Sequence, residues 1–193
     1  MTAPDADPIP PGTEDRSASM ARANAFALVA LAPVCLALCV AYAVLHGRAA
    51  LATSAEAFFG SFLLFLVLVV VGTVVHEGLH GLAWRWASGL PASAVSFGFQ
   101  WKTLTPYAHA SVPMAARAYR IGAAAPGVVL GIAPALAGIW AGWGLLFAFG
   151  VFFTFAAGGD ALILWLLRGV PPHARVSDHP TRAGCLVHPP PTP

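Results

Sequence analysis

Two histidines and a glutamate stand at the spacing of a helical metal-binding motif, in the segment His76-Glu77-Gly78-Leu79-His80. Positions i and i+4 lie on the same face of an α-helix, so His76 and His80 can both reach one metal ion. Zinc held by imidazoles makes a bound water acidic. Glu77 could accept a proton from that water and pass it to the leaving amine of a peptide. The pattern therefore predicts metal-assisted hydrolysis.

A zinc site of this kind needs a third protein ligand, and Asp160 is the strongest candidate. It follows two glycines in a distant apolar segment, where the backbone can approach a neighbour closely or unwind. At ~1.5 Å of rise per residue, His76 and Asp160 each lie roughly 12–13 Å before the arginine that follows their segment. Their depths therefore match. The alternatives that the sequence leaves open are His109, His173, Asp178 and His179.

The elements that carry these residues are too apolar for a water-facing surface. The chain of 193 residues is 58% hydrophobic and 9% charged, whereas a soluble domain carries about 25% charged residues. Four stretches reach the ~20 residues that span a bilayer, at about 24–45, 57–84, 121–140 and 143–167. The net charge of +2 does not indicate a nucleic-acid partner. We expect an all-α membrane protein with about four transmembrane helices, embedded in the lipid bilayer.

Ionisable side chains inside a bilayer are costly and usually functional. Of the eight acidic residues, only Glu77 and Asp160 fall inside the predicted spans, and both histidines there belong to the motif. The residues could instead be polar groups that hydrogen-bond between helices. That alternative buries two carboxylates without a cation, which is electrostatically expensive, so zinc is the favoured explanation.

The distribution of basic residues predicts the orientation of the chain. With four spans, both tails and the long second loop share one side of the membrane, and that side holds nine of the ten Lys and Arg residues. The opposite side holds only Arg48. Because basic residues concentrate in cytoplasmic loops, we expect a multi-pass protein of the cell membrane with both termini in the cytoplasm.

Differences in composition along the sequence divide the chain into three parts. Residues 1–22 are rich in Pro, Asp, Ser and Thr and are predicted to be a disordered tail. Residues 23–170 form the predicted membrane-embedded, metallopeptidase-like domain. Residues 171–193 form a Pro-rich tail that we expect to be irregular.

The long loop between the second and third spans predicts a small β-hairpin at about 94–111. Val95, Phe97, Phe99 and Trp101 alternate onto one face, and a turn is expected near residues 102–103. Such a hairpin could offer its edge to an extended peptide substrate. It could equally rest on lipid or cap the helices. Tyr107 and His109 could stabilise an oxyanion, or could simply belong to the hairpin surface.

These residues resemble a known class of enzymes. A His-Glu-x-x-His motif in one membrane helix and a distant aspartate in another are similar to the intramembrane site-2 proteases. More closely, the chain resembles a family of small bacterial membrane proteins classed as zincin peptidases of unknown function. The matching features, over roughly residues 55–185, are the 76–81 motif, Thr105-Pro106-Tyr107 in the hairpin, Ala125-Pro126-Gly127, Gly159-Asp160 and Asp178-His179-Pro180.

The resemblance implies His76, His80 and Asp160 as zinc ligands and Glu77 as the catalytic base. The predicted function is a zinc-dependent membrane endopeptidase that acts on a membrane protein or peptide substrate. The alternative is a non-catalytic membrane scaffold with a structural zinc, which would need a fourth ligand such as His109 or His179. The sequence does not indicate an oligomeric state. A metal transporter is disfavoured, since the extracytoplasmic halves of the spans lack ionisable residues.

Overall fold

The protein is mostly helical, with two small antiparallel sheets. The computed structural model describes residues 11–60, 62–100 and 105–190. Seven α-helices occur in these ranges: α1 Met20–His46, α2 Arg48–Phe59, α3 Phe62–Ser88, α4 Ala116–Pro126, α5 Ala133–Ala141, α6 Gly144–Ala156 and α7 Gly158–Leu166. A π-helical segment, Gly127–Ile132, follows Pro126 and joins α4 to α5. A short 3-10 helix, Ala92–Ala94, precedes the first hairpin strand.

Three of the described helices are long and apolar enough to cross a membrane. They are α1, α3 and the continuous helix Ala116–Ala141, which consists of α4, the π-helical segment and α5. The pair α6 and α7 bends by 45° and would form a fourth span if it is one crossing. These elements cover the four predicted apolar segments. The short helix α2 between the first two was not predicted.

The bend between α6 and α7 falls at Ala157, directly before the two glycines that precede Asp160. A Cβ placed on Gly158 would lie 2.3 Å from the Cβ of Ala27 in α1. Any side chain at position 158 would therefore push α7 away from α1. The predicted close approach is confirmed at Gly158 but not at Gly159, where an added Cβ would meet nothing within 4 Å. The break places Asp160 in the first turn of α7.

The predicted hairpin is present. Strands β2 (Val95–Gln100) and β3 (Thr105–Ala110) pair antiparallel, with Val95 opposite Ala110 and Gln100 opposite Thr105. Its apolar side packs on α3, where a Cβ on Gly81 would lie 2.7 Å from Cζ of Phe97. The predicted position of Trp101 and the turn near 102–103 lie outside the described residues.

The second sheet corrects the all-α prediction and the prediction of irregular tails. Strand β1 (Glu14–Ala18) pairs with β6 (Ala183–His188), which pairs with β5 (Arg175–Asp178), and β5 pairs with β4 (Met114–Ala115). The tail predictions were wrong for these strands and stay untested for residues 1–10 and 191–193, which lie outside the described residues.

The physical reason is a small apolar core beneath the sheet. Met114, Val176 and Cys185 are each at most 1% exposed and pack with Tyr119 and Leu167 at the ends of the helices. Short β-strands of two to six residues need few apolar positions. The prolines that suggested an irregular tail lie beside the strands rather than inside them.

Candidate metal centre

Three side chains from two helices converge as the sequence predicted. Nε2 of His76 lies 3.2 Å from Oδ2 of Asp160, and Nε2 of His80 lies 3.3 Å from Oδ1 of the same carboxylate. One ligand atom from each residue lies within 4.8 Å of the other two. Two ligands held ~2.0–2.2 Å from a tetrahedral zinc ion lie about 3.3–3.5 Å apart. The observed spacing and the donor set therefore fit one zinc ion.

The ring of His80 is held so that Nε2 faces the cluster. Its Nδ1–H donates a hydrogen bond to the carbonyl oxygen of Gly122 in α4, at 2.9 Å. This bond leaves Nε2, which faces Asp160, as the atom that could bind a metal, the usual arrangement around metal-bound histidines. A Cβ on Gly122 would lie 2.0 Å from Nε1 of Trp84, so only glycine lets this carbonyl approach.

Glu77 lies beside the cluster and has its own partner. The backbone N–H of Ala108 in β3 donates to Oε2 of Glu77 at 2.7 Å. Among the described residues, the group whose atoms could hold a metal contains His76, His80 and Asp160, without Glu77. The carboxylate is therefore oriented by the hairpin, next to the cluster, as a base rather than a ligand requires.

All four residues open into one cavity of about 340 Å³. Apolar side chains from α3, α6 and α7 form much of its wall, while β3, α4 and β5 close another side. The residues lining it are Thr73, His76, Glu77, His80, Trp84, Ala108, Tyr119, Ala123, Phe153, Ala156, Gly159, Asp160, Ile163 and Asp178.

The other histidines that the sequence left open lie elsewhere. Nδ1 of His109 is 3.0 Å from Oδ2 of Asp178, and Nε2 of His179 is 3.7 Å from Oδ2 of Asp15. His173 is exposed and lines a separate surface cavity. Tyr107 is 47% exposed and does not line the metal cavity. None of these side chains joins the described ligand cluster, although Asp178 reaches the same cavity.

Three residues around the site were missed by the sequence analysis. Trp84 stacks on His80 with ring centroids 5.4 Å apart, and Tyr119 stacks on Trp84 at 5.7 Å. Trp84 stands four residues after His80, on the same helical face, so the periodicity of α3 could have found it. Neither Tyr119 nor Gly122 carries a local signal, because each acts through a contact with another helix.

A family model described as "Putative zincin peptidase" matches residues 65–175, more than half of the chain. The chain belongs to this family. The matched segment contains both motif histidines, Glu77 and Asp160, and it ends three residues before Asp178. The peptidase and zinc that the family description implies agree with the donor set found in the cavity. No curated protein and no solved structure matches the chain.

Proposed function

We propose that this protein is a zinc-dependent, membrane-embedded endopeptidase. The observation that carries the proposal is the convergence of His76, His80 and Asp160 within 4.8 Å, beside Glu77, in a single cavity. The test is hydrolysis of an unfolded protein, casein, by the full-length chain purified in detergent with one equivalent of zinc. New peptide ends detected by mass spectrometry would support the proposal, provided that they disappear in the variants described in the Discussion.

In this proposal, His76, His80 and Asp160 hold the zinc ion. When bound, zinc would supply Lewis-acid chemistry that polarises a peptide carbonyl and makes a nearby water more acidic. Glu77 takes a proton from water and returns it to the leaving amine. Ala108 orients one carboxylate oxygen of Glu77, which leaves the other oxygen for the proton transfer.

The exposed surface of the helices supports insertion in a membrane. On α3, Val67, Val70, Val71 and Val74 are each 48–62% exposed, and similar apolar residues cover the outside of α1. Contiguous apolar patches of this kind are rare on soluble monomers. Within a bilayer they would face lipid, while the ionisable groups of the site face the interior of the bundle.

A structural zinc in a non-catalytic scaffold remains the second candidate. Such sites are usually closed by four protein ligands, whereas catalytic sites keep one position open. Within the described ranges the ligand cluster holds three side chains. His109 and His179, the residues that could have supplied a fourth ligand, face carboxylates outside the cluster. The open coordination favours the peptidase.

The pairing of β1 with β6 supports the placement of both termini on one side of the membrane, and the basic residues assign that side to the cytoplasm. It brings residues 14–18 and 183–188 to the same side of the helices, as an even number of spans requires. We expect a cysteine at exposed Thr53, in α2, to be labelled by a membrane-impermeant maleimide on intact cells. The matched Thr181→Cys variant should be labelled only after permeabilisation. Both variants would lack the native cysteines.

The reverse labelling pattern would contradict the cytoplasmic placement of the termini. Labelling of both positions on intact cells would contradict the membrane topology altogether.

The substrate is proposed to lie along the outer edge of β3, because Ala108 in that strand lines the cavity. Ala108 and Ala110 turn their N–H groups away from β2, toward the carboxylates of Glu77 and Asp178. The outer edge of β3 is therefore already hydrogen-bonded to these two carboxylates in this structure. A peptide strand that pairs with β3 would have to replace these two carboxylates as hydrogen-bond acceptors.

Replacing Ala108 with Pro tests the role of its N–H group. Since this group points away from β2, proline removes the donor to Glu77 without removing a ladder hydrogen bond, and Pro106 already occupies the equivalent orientation two residues earlier. A hydrogen bond to a charged group contributes about 1.5–3 kcal/mol, so we expect kcat to fall roughly 10-fold or more. Bound zinc should be unchanged.

The control is Ala108→Ser, which keeps the N–H group and should retain near wild-type kcat. Equal kcat values for the Pro and Ser variants would show that Ala108 does not orient Glu77.

A further inference from the structure

The carboxylate of Asp178 lies where the tail sheet, the hairpin and α4 meet. The hydroxyl of Tyr119 donates a hydrogen bond to Oδ1 of Asp178, and the backbone N–H of Ala110 donates to Oδ2 at 3.2 Å. Nδ1 of His109 lies 3.0 Å from Oδ2. The Asp178 side chain is 19% exposed and lines the metal cavity. The proposed reaction gives this carboxylate no role.

One set of contacts leads from Asp178 to a metal ligand. Tyr119 is 1% exposed, and its ring stacks on Trp84 at an interplanar angle of 22°. Trp84 donates its Nε1–H to the carbonyl oxygen of Tyr119 at 3.4 Å and stacks on His80 at 20°. Because the three rings pack face to face, the position of the Tyr119 ring limits that of His80.

A second set of contacts leads from Asp178 to the proposed base. Asp178 accepts a hydrogen bond from the N–H group of Ala110. Ala108 lies two residues earlier, on the same edge of β3. The N–H of Ala108 in turn holds Glu77. A shift of β3 away from Asp178 would therefore move the only hydrogen-bond donor described for the Glu77 carboxylate.

We propose that Asp178 is a positioning residue, which keeps the Glu77 carboxylate and the His80 imidazole correctly placed relative to each other in the cavity. This inference rests on the proposed peptidase function and adds one residue of the C-terminal tail to the residues that position its active site. Asp178 is not needed merely to anchor the tail. The backbone N–H groups of Ala116 and Arg117 in α4 donate to the carbonyl oxygens of Ala174 and Pro172, at 2.8 and 3.0 Å, so other contacts hold the tail to the helices.

The test is Asp178→Asn in the full-length protein, compared with Asp15→Asn. Both changes replace a carboxylate with an amide in the same sheet, but Asp15 contacts His179 and Arg182 rather than β3 or α4. Loss of a hydrogen-bonding partner around a metal site typically costs 10–100-fold in metal affinity or activity. We expect kcat for casein to fall by about this factor in Asp178→Asn, with KM and the zinc content unchanged. Asp15→Asn should match the wild type within about twofold.

A histidine titration reports the contact itself. The hydrogen bond from His109 to Asp178 raises the pKa of His109 above its ordinary value, although partial burial acts in the opposite direction. The NMR titration midpoint of His109 should therefore fall in Asp178→Asn and stay unchanged in Asp15→Asn. General loosening of the tail would not produce this difference at constant melting temperature.

Two further variants keep the test decisive if Asp178→Asn does not fold. Tyr119→Phe and Ala110→Pro each remove one donor to Asp178 and leave the carboxylate in place. Each should lower kcat by part of the Asp178→Asn effect. Wild-type kcat in both would overturn the inference, as would equal kcat values for Asp178→Asn and Asp15→Asn.

A cobalt measurement separates this inference from the proposed function. If the wild-type protein does not cleave casein, the peptidase proposal fails on its own. The visible absorption bands of the protein with cobalt(II) in place of zinc then test the positioning role of Asp178. They report the position of His80 and require no cleavage. Bands altered in Asp178→Asn but not in Asp15→Asn would support the positioning role, and identical bands would overturn it.

Discussion

Replacing Glu77 with Gln is expected to leave zinc bound while lowering the rate of peptide hydrolysis by about 10²–10⁴-fold, the usual contribution of a general base. Gln keeps the size of the side chain and an oxygen that can accept the N–H of Ala108, so the hairpin contact can persist. What it loses is the ability to take up a proton. The measurement is casein hydrolysis alongside zinc content, determined by elemental analysis of the purified protein.

The matched control is Glu56→Gln, the same change on the exposed side of α2 and outside the cavity. Its activity should equal that of the wild type. If Glu77→Gln cleaved casein as fast as this control, the proposed role of Glu77 would be wrong. Loss of zinc together with activity in Glu77→Gln would instead give this carboxylate a part in metal binding.

Replacing Asp160 with Asn is expected to remove zinc itself. Asp160 supplies the carboxylate that both imidazoles face, at 3.2 and 3.3 Å, and an uncharged amide is a much weaker zinc ligand than a carboxylate. The loss of zinc affinity should exceed the 10–100-fold effect typical of residues that only support the ligands. Zinc content after dialysis against a weak chelator measures it, and hydrolysis should disappear in parallel.

The same substitution at Asp178 provides the comparison, since both aspartates line one cavity. Asp178→Asn should keep its zinc under conditions that strip Asp160→Asn. If Asp160→Asn kept a full equivalent of zinc, the third ligand would have to come from another residue.

The core of the candidate site was predictable because its signals are local. The His76 and His80 spacing requires only a helix, and the matched depth of Asp160 requires only helical rise and the positions of the flanking arginines. The predicted membrane spans narrow the candidates further, since few ionisable residues fall inside these apolar segments. The structure brings these three side chains together as predicted.

The surroundings of the site were not predictable in the same way. Glu14 in strand β1 lies opposite Val187 in β6. The residue pattern of β1, a strand of five residues, does not reveal a partner so distant in sequence. The group of Gly122 that orients His80 is a backbone carbonyl, and a glycine in the sequence does not reveal which side chain its carbonyl faces. Asp178 was named only as an alternative third ligand and as part of a tail motif, because its contacts are with Tyr119 and Ala110, which are far away along the chain.

The pairing of β1 with β6 also has a consequence for biosynthesis. Residues 14–18 are synthesised before the described helices, yet their partners at 183–188 follow only after those helices have been made. Contacts between distant segments close late in folding, because the intervening chain must first be ordered. The proposed metal ligands can therefore meet before Asp178 is in place to contact the hairpin. Under the proposed function, the growing chain would pass through a stage in which the zinc ligands have met but Glu77 is not yet aligned, and hydrolysis would begin only after residues 183–188 have been made.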